Sequence, residues 1–205
     1  MRLMNIRASL LVVAGLTMLL SVVEAQDSSS WTLRAGVHPI QTKPGSHSQM
    51  QVGDAAALTL AGTYMLARHW GVELLTALPV EHTLYLREGG KIGRVTHIPS
   101  MLSVQYHFLD PNGRARAHIG AGLNYTFFFD ERTSGALAGT RLEYEPSLGP
   151  AVQLGLDLDI GGGWFIGLDA RWLDIDAPMR LNGARSGTVE LDPYAVGLSI
   201  GARLP

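Results

Sequence analysis

Residues 191–204 read LDPYAVGLSIGARL. Tyr194, Val196, Leu198, Ile200, Ala202 and Leu204 alternate with Ala195, Gly197, Ser199, Gly201 and Arg203. Successive side chains of a strand point to opposite faces, so one face here is apolar and the other is small or polar. In a soluble sandwich the apolar face would meet a second sheet. The rest of the chain instead offers seven more strands of the same kind and almost no helix to cover them. The apolar faces therefore need lipid, and the small inner residues suit a narrow closed barrel.

The other strands are expected at Trp31–His38, Leu58–Leu66, Trp70–Leu78, Met101–Phe108, Ala117–Phe129, Val152–Asp159 and Trp164–Leu173. The connections between the strands run long, short, long, short, long, short, long. Asp110-Pro111-Asn112-Gly113 and Gly161-Gly162-Gly163 mark two of the short ones, by the dihedral preferences of Pro, Asn and Gly. Such sorting by length belongs to outer-membrane barrels, with even strand number, short periplasmic turns and longer extracellular loops. The predicted fold is thus all-β, an eight-stranded antiparallel transmembrane β-barrel. Its termini are expected in the periplasm, with the long segments near 39–53, 79–98, 130–147 and 174–190 facing outward. Tyr64, Trp70, Phe108 and Trp164 fall near the short turns, and Tyr125, Phe127 and Trp172 toward the long segments, as two interfacial girdles require.

The near-balanced charge, formally −2, suggests no nucleic-acid partner. The chain has no cysteine, which rules out disulfides and thiolate metal sites. Arg2 and Arg7 precede an uncharged, mostly apolar run from Ala8 to Val23, and Val23-Glu24-Ala25 has the small-residue spacing of a cleavage site. Residues 1–25 are therefore expected to be a signal peptide, with the barrel over 26–205 in the cell outer membrane.

The inward faces are graded along the barrel axis. Arg34, Glu73, His107, His118, Asp157, Asp159, Asp169 and Arg203 fall toward the short turns. Leu75, Ala77, Met101, Phe128, Ala151, Leu173 and Ala195 fall toward the long segments. Opposite charges in a narrow lumen must pair, because an isolated buried charge is very costly. A charge plug of Arg34, Glu73, Asp157, Asp169, Arg171 and Arg203 is expected below a hydrophobic conduit of Leu75, Ala77, Met101, Phe128 and Leu173. A water-filled porin has no need of an apolar mouth, whereas a funnel for greasy molecules does. The blander alternative is that small apolar residues simply fill a tight barrel.

From Gly71-Val72-Glu73-Leu74-Leu75 onward the chain resembles the outer membrane protein W (OmpW) family, which includes alkane-uptake porins of the AlkL type. The resemblance continues at Glu81-His82-Thr83, Gly90-Lys91-Ile92-Gly93 and His97-Ile98-Pro99. It is strongest over residues 120–131, GAGLNYTFFFDE, and returns at Asp174-Ile175-Asp176 and Leu191-Asp192-Pro193-Tyr194. It implies an eight-stranded barrel with a hydrophobic conduit, and passive uptake of small hydrophobic molecules, with escape sideways between strands. One departure is the end at Leu204-Pro205, where family members carry an aromatic residue read by the outer-membrane assembly machinery.

The rival classes are a barrel-anchored surface receptor and a lipid-modifying enzyme. The second would need a nucleophile, a histidine and an acid converging at one interface; His82 with Glu81 and Ser100 can be imagined together near the outer rim, but nothing in the sequence fixes that geometry. The seven histidines lack the paired spacing of a zinc helix. No catalytic residue, cofactor or metal is expected. The expected partners are outer-membrane lipids, small hydrophobic molecules and the assembly machinery, and the chain is expected to act as a monomer.

Overall fold

The computed structural model describes residues 31–41, 50–53, 55–86, 90–108 and 113–204. They form thirteen strands: β1 Trp31–Gln41, β2 Met50–Val52, β3 Ala55–Met65, β4 Trp70–Ala77, β5 Val80–Leu86, β6 Lys91–His107, β7 Ala115–Thr133, β8 Leu142–Tyr144, β9 Ser147–Gly161, β10 Trp164–Leu173, β11 Asp176–Leu181, β12 Ala184–Glu190 and β13 Tyr194–Leu204. Eight of them, in the ring order β1-β3-β4-β6-β7-β9-β10-β13, make a closed antiparallel barrel. Closure is by β1 against β13, from Trp31 opposite Leu204 to Gln41 opposite Tyr194. Residues 1–25, expected to be a signal peptide, and Asp110-Pro111-Asn112 lie outside the described residues.

Alternation builds the wall. Leu33, Val37, Leu58, Leu102, Leu154 and Leu198 stand exposed on the outer face, while Arg34, His38, Thr59, Ser103, Gln153 and Ser199 are buried inside. An apolar belt of that extent on a barrel's outside is the signature of a lipid-facing surface. At the short-turn end Trp31 packs on Tyr64 with ring centroids 5.0 Å apart, and Trp70 packs edge-on against Tyr106 at 5.0 Å. Tyr125, Phe127 and Tyr194 stand exposed toward the other end. Among the described residues no helix is long and apolar enough to cross a membrane.

The long segments depart from expectation. Within the 79–98 segment β5 pairs antiparallel with the start of β6, from Val80 opposite His97 to Tyr85 opposite Lys91, as the two arms of a hairpin, and β2 adds to β5. Val80, His82 and Leu84 are buried there, so an alternating strand pattern runs on through what reads as a polar loop. Residues 174–190 form a second hairpin, β11–β12, whose β11 also pairs with β8. The final strand begins at Tyr194 rather than Leu191. Pro193 has no N–H to give to the ladder, and Asp192 has a positive φ of 30°.

Candidate functional site

The lumen is built in two storeys. At the short-turn end, inner-facing charges pair across the bore. The Arg34 guanidinium donates to both Asp157 oxygens, at 2.8 and 2.9 Å, and to Ser199 at 3.2 Å. Arg171 pairs with Asp169, lies 3.9 Å from Glu73, and donates through Nε to Gln153 at 3.1 Å. Gln153 donates in turn to Ser103 at 2.9 Å, and Thr63 donates to Glu73 at 3.1 Å. Nε2 of His38 lies 2.8 Å from an Asp169 oxygen, and its Nδ1 lies 3.1 Å from the Thr59 hydroxyl. Nη1 of Arg171 also lies 2.8 Å from that His38 Nε2, so His38, Asp169 and Arg171 form one cluster.

Arg203 sits lower and is more open. It pairs with Asp159 at 2.6 Å near the mouth of the barrel. Phe165 is fully buried between it and Arg34, each guanidinium 4.9 Å from the ring centroid. This is a cation–π bridge from the rim pair to the buried pair. Inner-face glycines make room for the network: a Cβ on Gly167 would stand 2.4 Å from an Arg34 nitrogen, and one on Gly197 would stand 2.3 Å from the His38 ring. Of the residues proposed for the plug, Arg34, Glu73, Asp157, Asp169 and Arg171 are thus brought together, and Arg203 joins them through Phe165. His38, Phe165 and Gln153 are additional members. All three sit on the inward parity of their strands, the signal by which they are legible.

Above this lies an apolar cluster. Leu75, Met101, Phe128 and Leu173 belong to it together with Leu84, Ile92, Val95, Leu142, Tyr144, Ile175, Met179, Val189 and Leu191. Ala77 belongs instead to a smaller group with Ile40, Ala57 and Val80. The added members come from the two hairpins beyond the barrel and from β8, which together roof the lumen. Burial is close to complete, with Met101 at 0%, so the column is closed as packed. A small cavity is lined by His82, Leu84, Val95, His97, Phe128, Tyr144, Ala177, Val189 and Leu191. The upper lumen is therefore not purely apolar. His82 and His97 enter it because 79–98 is a hairpin and not a solvated loop.

At the rim, Asp174, Asp176 and Asp192 bring carboxylate oxygens within 4.8 Å of one another. Partial burial, then the neighbouring carboxylates, raises the Asp174 and Asp176 carboxyls above their ordinary range. Glu81 lies on the exposed side of β5, where Arg94 reaches it at 3.3 Å, whereas His82 points inward and donates through Nδ1 to the Gly53 carbonyl at 2.6 Å. Ser100 bonds Thr76 at 3.1 Å. The three residues considered for an enzyme are therefore each engaged elsewhere.

The profile of the OmpW family matches residues 14–204. Outer membrane protein W of Escherichia coli (strain K12) is 35% identical over 199 residues, covering 91% of this chain and 94% of that protein. The dibenzothiophene metabolism operon protein PahQ of Pseudomonas aeruginosa is 28% identical over 193 residues, covering 85% of this chain and 89% of that protein. The crystal structure of the outer membrane protein OprG from Pseudomonas aeruginosa superposes with a TM-score of 0.74 at 24% identity, covering 88% of this chain and 98% of that one.

Proposed function

The chain belongs to the OmpW family of outer membrane β-barrels, and from that premise we propose that it is a channel for passive uptake of small hydrophobic molecules. The observation that carries this reading is the continuous apolar column from Leu84 and Leu191 down to Met101, standing directly over a paired ionic floor. Burial of apolar surface drives entry at roughly 25 cal/mol per Å². A small ligand therefore binds weakly and reversibly. The relative PahQ, named for a dibenzothiophene metabolism operon, fits a role near apolar compounds. Passage requires the packed column to part, and the ionic floor directs the ligand sideways between strands. The two hairpins face the cell exterior and the short turns face the periplasm. Residues 1–25 are removed on export; sequencing the mature amino terminus should return Gln26.

Phe128→Asp and Leu173→Asp place a charge on the path and leave the lipid-facing rows intact. Uptake of a hydrophobic probe by cells carrying folded variants at normal abundance should fall in both. Unchanged uptake in both would favour a surface receptor that uses the barrel only as an anchor.

A further inference from the structure

The cavity in the roof has an ordered wall. His82 stacks on His97 with centroids 5.0 Å apart and planes 11° from parallel. His97 meets Phe128 at 5.6 Å, and Phe128 meets Tyr144 at 5.5 Å. Four rings from β5, β6, β7 and β8 thus follow one another along one side of the cavity. Leu84, Val95, Ala177, Val189 and Leu191 complete its lining. A flat ring is the shape that meets such a wall with offset or edge contacts.

Two polar atoms in this ring wall are set apart from the rest. The Tyr144 hydroxyl and Nδ1 of His97 are buried and have no hydrogen-bond partner among the described residues. The two side chains belong to residues only 8% and 3% exposed. Leaving a buried polar group unpaired is costly, so each instance calls for an explanation. Burial, then the nearby Glu131 carboxylate, raises the Tyr144 hydroxyl above its usual range, so it remains a donor. A charge on His97 in these surroundings would be costly, which leaves a neutral ring offering either a lone pair or an N–H at Nδ1. A ligand hydroxyl both donates and accepts, and so satisfies either.

Resting on the reading of the lumen as a hydrophobic conduit, we propose that His97 and Tyr144 are two hydrogen-bonding stations flanking Phe128, which select flat aromatic molecules bearing a hydroxyl group over the plain hydrocarbons. The molecule slides along the ring wall and its hydroxyl meets Tyr144 and His97 in turn.

The test is equilibrium binding of 1-naphthol and of naphthalene to the full protein in lipid nanodiscs, corrected by empty nanodiscs. Tyr144→Phe deletes one oxygen, and His97→Phe keeps a ring on the wall. Each variant should lower naphthol affinity by about threefold to tenfold, the worth of one neutral hydrogen bond, and leave naphthalene within about twofold. Should His97→Phe not reach the folded form, Tyr144→Phe decides alone. Naphthalene binding with an unchanged naphthol-to-naphthalene ratio overturns the stations and leaves the conduit standing. Neither compound binding the wild-type protein overturns both.

Discussion

Arg171 shows what a single side chain does in this lumen. It reaches Asp169 on its own strand, Glu73 on the opposite wall and Gln153 on the neighbouring strand. Arg171→Ala would leave two buried carboxylates without their cation. Breaking a buried pair in this way typically costs about 3–5 kcal/mol, so the variant should lose its heat-modifiable mobility at a lower temperature, or pass ions in single-channel recordings. Wild-type behaviour in both measurements would show that the floor is not a plug. Glu73→Gln keeps the hydrogen bond from Thr63 and should be milder. At this scale the sequence was highly legible, because parity along a strand tells which way Arg34, Glu73 and Asp169 point. Partner choice was not, since register around a ring decides that Arg34 meets Asp157 and Arg203 meets Asp159.

Among the elements, the barrel strands were legible and the roof was not. Asn182-Gly183 is the clearest missed signal. Both residues have positive φ, 51° and 83°, as a type I′ hairpin turn requires. Gly183→Val should therefore unsettle β11–β12 while the barrel stays closed. Hydrogen exchange would show faster amides in 176–190 with those of β1, β3 and β13 unchanged; faster exchange throughout would mean that the roof and the wall fold as one. The 79–98 hairpin was obscured differently, by His82, His97 and Gly93 sitting where an apolar residue announces a buried face. The rim acids add a pH dependence. Asp174 and Asp176 hold their protons more tightly when folded, so protonation favours the folded rim. That contribution is present below the ordinary carboxylate range and is lost as pH rises through the raised values. Protection factors in β11 should be higher at pH 4 than at pH 7, and the reverse order would contradict it.

Taken whole, the molecule is a lipid-embedded ring whose two ends differ. Protease added to intact cells should cut only within the hairpin-bearing end, and cleavage at Gly161–Gly163 would overturn the orientation. The difference between the ends also has a mechanical side. β10 and β4 stand four places apart in a ring of eight, directly across the bore, and Arg171 with Glu73 ties them together. Arg34 and Asp157 tie β1 to β9. These ties act as the spokes of a wheel. Squeezed by the lateral pressure of a bilayer, an unspoked cylinder flattens to an oval, whereas a spoked one stays round. Above the spokes the interior is filled by side chains that slide past one another without breaking an ion pair. Deformation is thus confined to the upper half, and the hub holds its shape while the rim breathes.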